Sequence, residues 1–77
     1  MDLDETMKEV LRCVVFNEDQ TLESLLLTLK DHSSVEDIVE AINALEMMGL
    51  VEHETHFVVE HYKLTPNGYM VAAAIYE

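Results

Sequence analysis

The sequence predicts a mostly helical α+β fold: three helices, a two-strand hairpin and a final helix, forming one domain over residues 1–77. Three observations predict it. Apolar residues recur at helical spacing in three separate stretches of the first half. That period vanishes over "LVEHETHFVVEHYKLT" (50–65), which is rich in β-branched and aromatic residues. A glycine then marks the end of the third stretch, and a Thr-Pro pair opens the last one.

The first helix is expected over Asp4 to Phe16. Leu3, Met7, Val10, Leu11 and Val14 form its apolar stripe, with Glu5, Lys8, Glu9 and Arg12 opposite. Asp2 and Asp4 suit its N-terminus, and "NEDQ" (17–20) is a break. The second helix is expected over Leu22 to Lys30, capped by Thr21. Its stripe is Leu22, Leu25, Leu26 and Leu29, which leaves Leu27 outside.

The third helix lies in "SSVEDIVEAINALEMMGLVE" (33–52). Ser33 with Glu36, or Ser34 with Asp37, makes a capping box. Val35, Ile38, Val39, Ile42 and Leu45 form the expected buried stripe. Glu36, Glu40, Asn43 and Met47 face away, flanked by Asp37 and Ala44. Glu46 falls at the edge of the apolar arc and is expected to reach sideways to water. Gly49 supplies the left-handed residue that ends the helix. Two strands follow, with the turn expected around Thr55–His56. Thr65 caps the last helix and Pro66 takes its first position.

The chain carries 16 acids against 4 bases, Lys8, Arg12, Lys30 and Lys63, for a formal net charge of −12. That field repels nucleic acid and anionic membranes and attracts basic partners. A single cysteine, Cys13, excludes an internal disulfide and reads as a buried, inert thiol. No apolar run approaches a membrane span, and the expected location is cytoplasmic.

"LEMMGLVE" followed by "YKLTPNGYMVAA" resembles the C-terminal half of winged-helix domains such as MarR-like and PadR-like regulators. The matching residues are Leu45, Gly49, Leu50, Val51, Tyr62, Leu64, Thr65 and Gly68. The resemblance implies a winged helix-turn-helix with the third helix in the recognition position. It implies either a DNA-binding regulator or a protein-interaction module.

The outward residues of that helix depart from the DNA-reading pattern. Base and phosphate contacts need donors, and of Glu36, Asp37, Glu40, Asn43 and Met47 only Asn43 offers one. The expectation is therefore that this face binds a basic protein surface, for example by mimicking the ligand of a nucleic-acid-binding protein. The alternative is a homodimeric DNA-binding transcriptional regulator. The bland reading is a merely solvated face.

Met70, Ala73, Ala74 and Tyr76 of the last helix are candidates for a homodimer surface, weighed equally against simple closure of the core. His53, His56 and His61 are weak metal candidates, since His53 alternates to the strand face opposite His56. No cofactor motif and no nucleophile–base pair is legible, so no enzyme is expected.

Overall fold

In the computed structural model, residues 3–16 and 20–76 are described. Asp2 and the first three residues of the "NEDQ" break therefore lie outside the described residues. The order is α1 (Glu5–Phe16), β1 (Gln20–Thr21), α2 (Leu22–Leu29), α3 (Val35–Met47), β2 (Val51–His56), β3 (Val59–Leu64) and α4 (Pro66–Tyr76). The sheet order is β1-β3-β2, antiparallel throughout. This is a winged helix, α+β and mostly helical: α2 and α3 form the helix-turn-helix pair and the β2–β3 hairpin is the wing.

Each helix begins where a side chain can take up orphan backbone donors. The Asp4 carboxylate accepts from the Met7 amide at 2.8 Å. Thr21 and Ser24 cap α2 reciprocally, each accepting from the other's amide. Ser34, not Ser33, caps α3, accepting from the Asp37 amide at 3.1 Å. Ser33 bonds Thr6 of α1 instead, at 3.1 Å. Gly49 closes α3 at φ +75°, and the Gly49 and Leu50 amides bond back to the Glu46 and Leu45 carbonyls.

The core lies where α1, α2 and α3 meet the inner face of the sheet. Met7, Val10, Leu11 and Val14 of α1 pack with Leu25, Leu29, Ile38, Ile42 and Leu45, and Leu50, Val51, Tyr62, Leu64 and Ala72 close it. Each fully buried leucine or isoleucine contributes about 1.5–3 kcal/mol over leaving it in water. Leu27 is exposed, as its position off the stripe predicts. Val35 corrects the expected stripe: it is 60% exposed, because packing begins one turn further in at Ile38. Ala41 takes a buried place instead.

The hairpin turn is Phe57–Val58, two residues beyond the expected position. Pairing sets the correction, because it puts buried Val51 opposite buried Leu64 and continues in step to His56 opposite Val59. Both turn residues have positive φ, 52° and 62°. That conformation costs a non-glycine residue about 1–2 kcal/mol. β1 had no counterpart among the expected elements. It pairs Gln20 with Tyr62 and Thr21 with His61. Buried Gln20 is satisfied there, donating to the Cys13 carbonyl and accepting from Ser24.

α4 is locked at both ends. The Thr65 hydroxyl donates to the Gly49 carbonyl at 2.5 Å and accepts from the Gly68 amide at 3.0 Å. The Tyr76 hydroxyl donates to the Lys8 carbonyl of α1.

Candidate functional site

The outward face of α3 is as the sequence reading places it: Glu36, Asp37, Glu40, Asn43 and Met47 are all exposed, Met47 at 89%. α3 itself carries no Lys or Arg. Packing of α1 on α3 adds an arrangement that spacing along one helix does not reveal. Asp37 and Glu40 face Asp4 and Glu5 across a cleft of about 480 Å³, with Met7, Ala41 and Ala44 among its apolar lining. Among the described residues, four acids thus line one cleft beside α3, and no Lys, Arg or His does.

Glu46 does not simply reach to water. It turns to the wing, where both its oxygens lie 3.1 Å from His53 Nδ1. His53 Nε2 is 3.8 Å from Glu60, and Glu60 in turn accepts from the Tyr62 hydroxyl at 3.2 Å. Burial first, then the Glu60 charge, pushes the Tyr62 phenol up to about 12. A polar chain therefore ties the last turn of α3 to both wing strands.

The other wing face holds the one cation of the hairpin. Lys63 Nζ lies 2.5 Å from Glu54 and 3.6 Å from Glu52. Glu54 also lies 3.1 Å from His56. The Lys63 hydrogen bond, then the His56 one, holds the Glu54 carboxyl below its ordinary range, and Glu54 raises Lys63 in turn. Lys63 is thus matched by acids of its own sheet and brings no surplus positive charge to the wing.

The histidines divide as strand alternation predicts. His56 and His61 share a face, with ring centroids 5.2 Å apart, and His53 occupies the other beside Tyr62. Among the described residues, no group of three or more His, Cys, Asp or Glu side chains is arranged to hold a metal ion. Cys13 is half-buried rather than fully buried, and burial with the Glu9 charge pushes its thiol up, away from reactivity.

Of the candidate dimer residues, Met70, Ala73 and Ala74 are exposed, whereas Tyr76 is partly buried and bonded to α1. Phe16 and Tyr69, which spacing does not single out, join this surface: they line a shallow, mostly apolar groove with Val15, Ala72, Ala73 and Tyr76. Among the described residues no helix is long and apolar enough to cross a membrane.

Neither a family model nor a curated protein matches the sequence. Solved structures match its fold closely. The adhesin competence repressor AdcR of Streptococcus pyogenes superposes with a TM-score of 0.83 at 19% identity, over 96% of this chain and 54% of its own. BpsR of Bordetella bronchiseptica, a protein whose DNA binding is regulated by 6-hydroxynicotinic acid, gives 0.85 at 15% identity, over 96% and 53%. A MarR-family transcriptional regulator from Silicibacter pomeroyi gives 0.84 at 19% identity, over 96% and 50%. The fold is that of MarR-family winged-helix regulators, and the chain spans about half the length of the structures it matches. These neighbours are regulators rather than enzymes.

Proposed function

We propose that the chain is the winged-helix module of a transcription regulator, with α3 as its presenting face. The observation that supports this best is the superposition of about 96% of its length on MarR-family regulators at TM-scores of 0.83–0.85. On this reading the ligand is duplex DNA, the place of action is the cytoplasm, and the exposed apolar residues of α4, Met70, Ala73 and Ala74, pair two copies.

A second reading starts from charge alone. The α3 face presents Glu36, Asp37 and Glu40, joined by Asp4 and Glu5, and a surface of that sign is complementary to a basic protein rather than to phosphate. Such a module would act on transcription through a protein partner, for example by covering the nucleic-acid site of that partner.

Fluorescence anisotropy with labelled duplex DNA, repeated over a salt series, separates the two. The DNA reading expects binding at low salt that weakens steeply as salt rises, because phosphate contacts release counterions. No binding to duplexes carrying the module's own upstream sequence, even at low salt, rejects the DNA reading and leaves the basic partner.

A further inference from the structure

Among the described residues, β1 meets β3 through Gln20–Tyr62 and Thr21–His61. β3 continues past that point to Glu60 and Val59, which pair with β2 but have no β1 partner. The cause is local. Thr21 caps α2, so the chain turns into a helix at Leu22 instead of running on as a strand. A groove of about 530 Å³ opens there between the first turn of α2 and the wing. Leu22, Val58 and Val59 give it apolar walls, Glu23 and Glu60 give it acids, and among the described residues no Lys, Arg or His lines it.

The wing tip beside this groove is costly in two independent ways. Phe57 and Val58 are 97% and 96% exposed, and both sit in the left-handed region, which a β-branched residue rarely adopts. Asn-Gly or Asp-Gly would turn the chain more easily and keep the tip polar. Turning the chain therefore explains neither residue, whereas contact with a partner explains both.

We propose that the open edge of β3, the groove and the wing tip together dock an extended segment of a partner protein in which apolar residues alternate with Lys or Arg. The segment adds as a strand beside Val59 and Glu60, its apolar side chains against Leu22, Val58 and Val59 and its bases toward Glu23 and Glu60. Charge selects this occupant. Nucleic acid and anionic lipid would set negative groups against Glu23 and Glu60, and a second copy would bring another chain of net charge −12. The site lies apart from the α3 face and does not depend on which ligand that face takes.

The test is an NMR titration of the isotope-labelled full chain with a blocked synthetic peptide alternating lysine with valine or phenylalanine. The matched peptide with glutamate for lysine is the control. Saturable shifts are expected at Leu22, Val59 and Glu60 with the lysine peptide alone. Affinity is expected to fall about tenfold in the Phe57→Asn/Val58→Gly variant, whose turn is easier to form, and to fall also in Glu23→Lys. Shifts confined to Glu36, Asp37 and Glu40, equal binding by the variants, or no saturation at millimolar peptide would each overturn the proposal. Loss of DNA binding in the anisotropy experiment would leave this outcome untouched, so the two failures are distinguishable.

Discussion

His53 Nδ1 lies 3.1 Å from both carboxylate oxygens of Glu46, so the last turn of α3 and the first half of the wing are joined by one side-chain pair. The pair is partly exposed, 42% for the His53 side chain and 27% for Glu46, which keeps its worth small. A double-mutant cycle of Glu46→Ala and His53→Ala should give a coupling of no more than about 1 kcal/mol. Hydrogen exchange gives the sharper readout: β2 amides should open faster in either single variant, while α1 amides stay protected. A coupling indistinguishable from zero, with unchanged β2 exchange, would show that the contact does not hold the wing.

The two glycines should respond very differently to alanine. A Cβ on Gly68 would stand 2.0 Å from the Leu50 carbonyl oxygen and 3.2 Å from Leu64. That carbonyl cannot retreat cheaply, because it already accepts from the Thr65 amide. Gly68→Ala should therefore cost about 3 kcal/mol by overpacking. Gly49 has open space around it and only its positive φ to defend, so Gly49→Ala should cost about 1–2 kcal/mol. Urea denaturation of both variants checks the order, and a reversed order would mean that α4 does not sit on Leu50 as described.

The helix ends were legible because each carries local chemistry, in Thr21, Gly49, Pro66 and the Ser33–Ser34 pair, although only the packing of Ser33 on Thr6 of α1 decides that Ser34 is the cap. What was not legible is non-local. β1 is two residues with no period of their own, held only by pairing with β3. Glu46 looks like a misplaced acid until His53, seven residues on, folds back beside it. Asp4 and Glu5 join Asp37 and Glu40 only through the packing of α1 on α3. The turn was missed for another reason: Phe57–Val58 contradicts the composition that two-residue hairpin turns usually show.

That contradiction should be measurable as stability. Replacing Phe57 and Val58 by Asn and Gly puts tolerant residues where φ is 52° and 62°. The double variant should gain on the order of 2 kcal/mol, since two left-handed penalties are relieved and no buried contact is lost. A thermal-melt comparison decides it, and a lower midpoint than the natural chain would mean that the turn is not strained as described.

Alkaline pH should reach this fold through Tyr62. Its phenol ionises at about 12 rather than the ordinary 10.0, because burial and then Glu60 oppose the charge. A raised value means that the group favours the folded state below pH 10 and that this contribution is lost as pH climbs from 10 toward 12. Phenolate absorbance should show a late-ionising tyrosine that disappears in Tyr62→Phe. Glu60→Gln should lower the midpoint without restoring 10.0, since burial is the larger cause. Full restoration would instead make the Glu60 charge the main cause.

The last prediction concerns the acids of α3. Glu36 and Glu40 are exposed, and neither forms a hydrogen bond or ion pair among the described residues, so reversing both to lysine should leave stability within about 0.5 kcal/mol. The change moves the net charge from −12 to −8, because each substitution adds two units. If α3 faces phosphate, duplex affinity should rise in the variant, and the slope of log affinity against log salt should steepen by up to about 0.9 for each phosphate newly contacted. If α3 faces a basic protein, the variant should bind DNA no better and lose its partner through slower association, as charge complementarity acts mainly on encounter. A variant unchanged in both respects would assign Glu36 and Glu40 to solvation alone and move the search for a binding face to the wing.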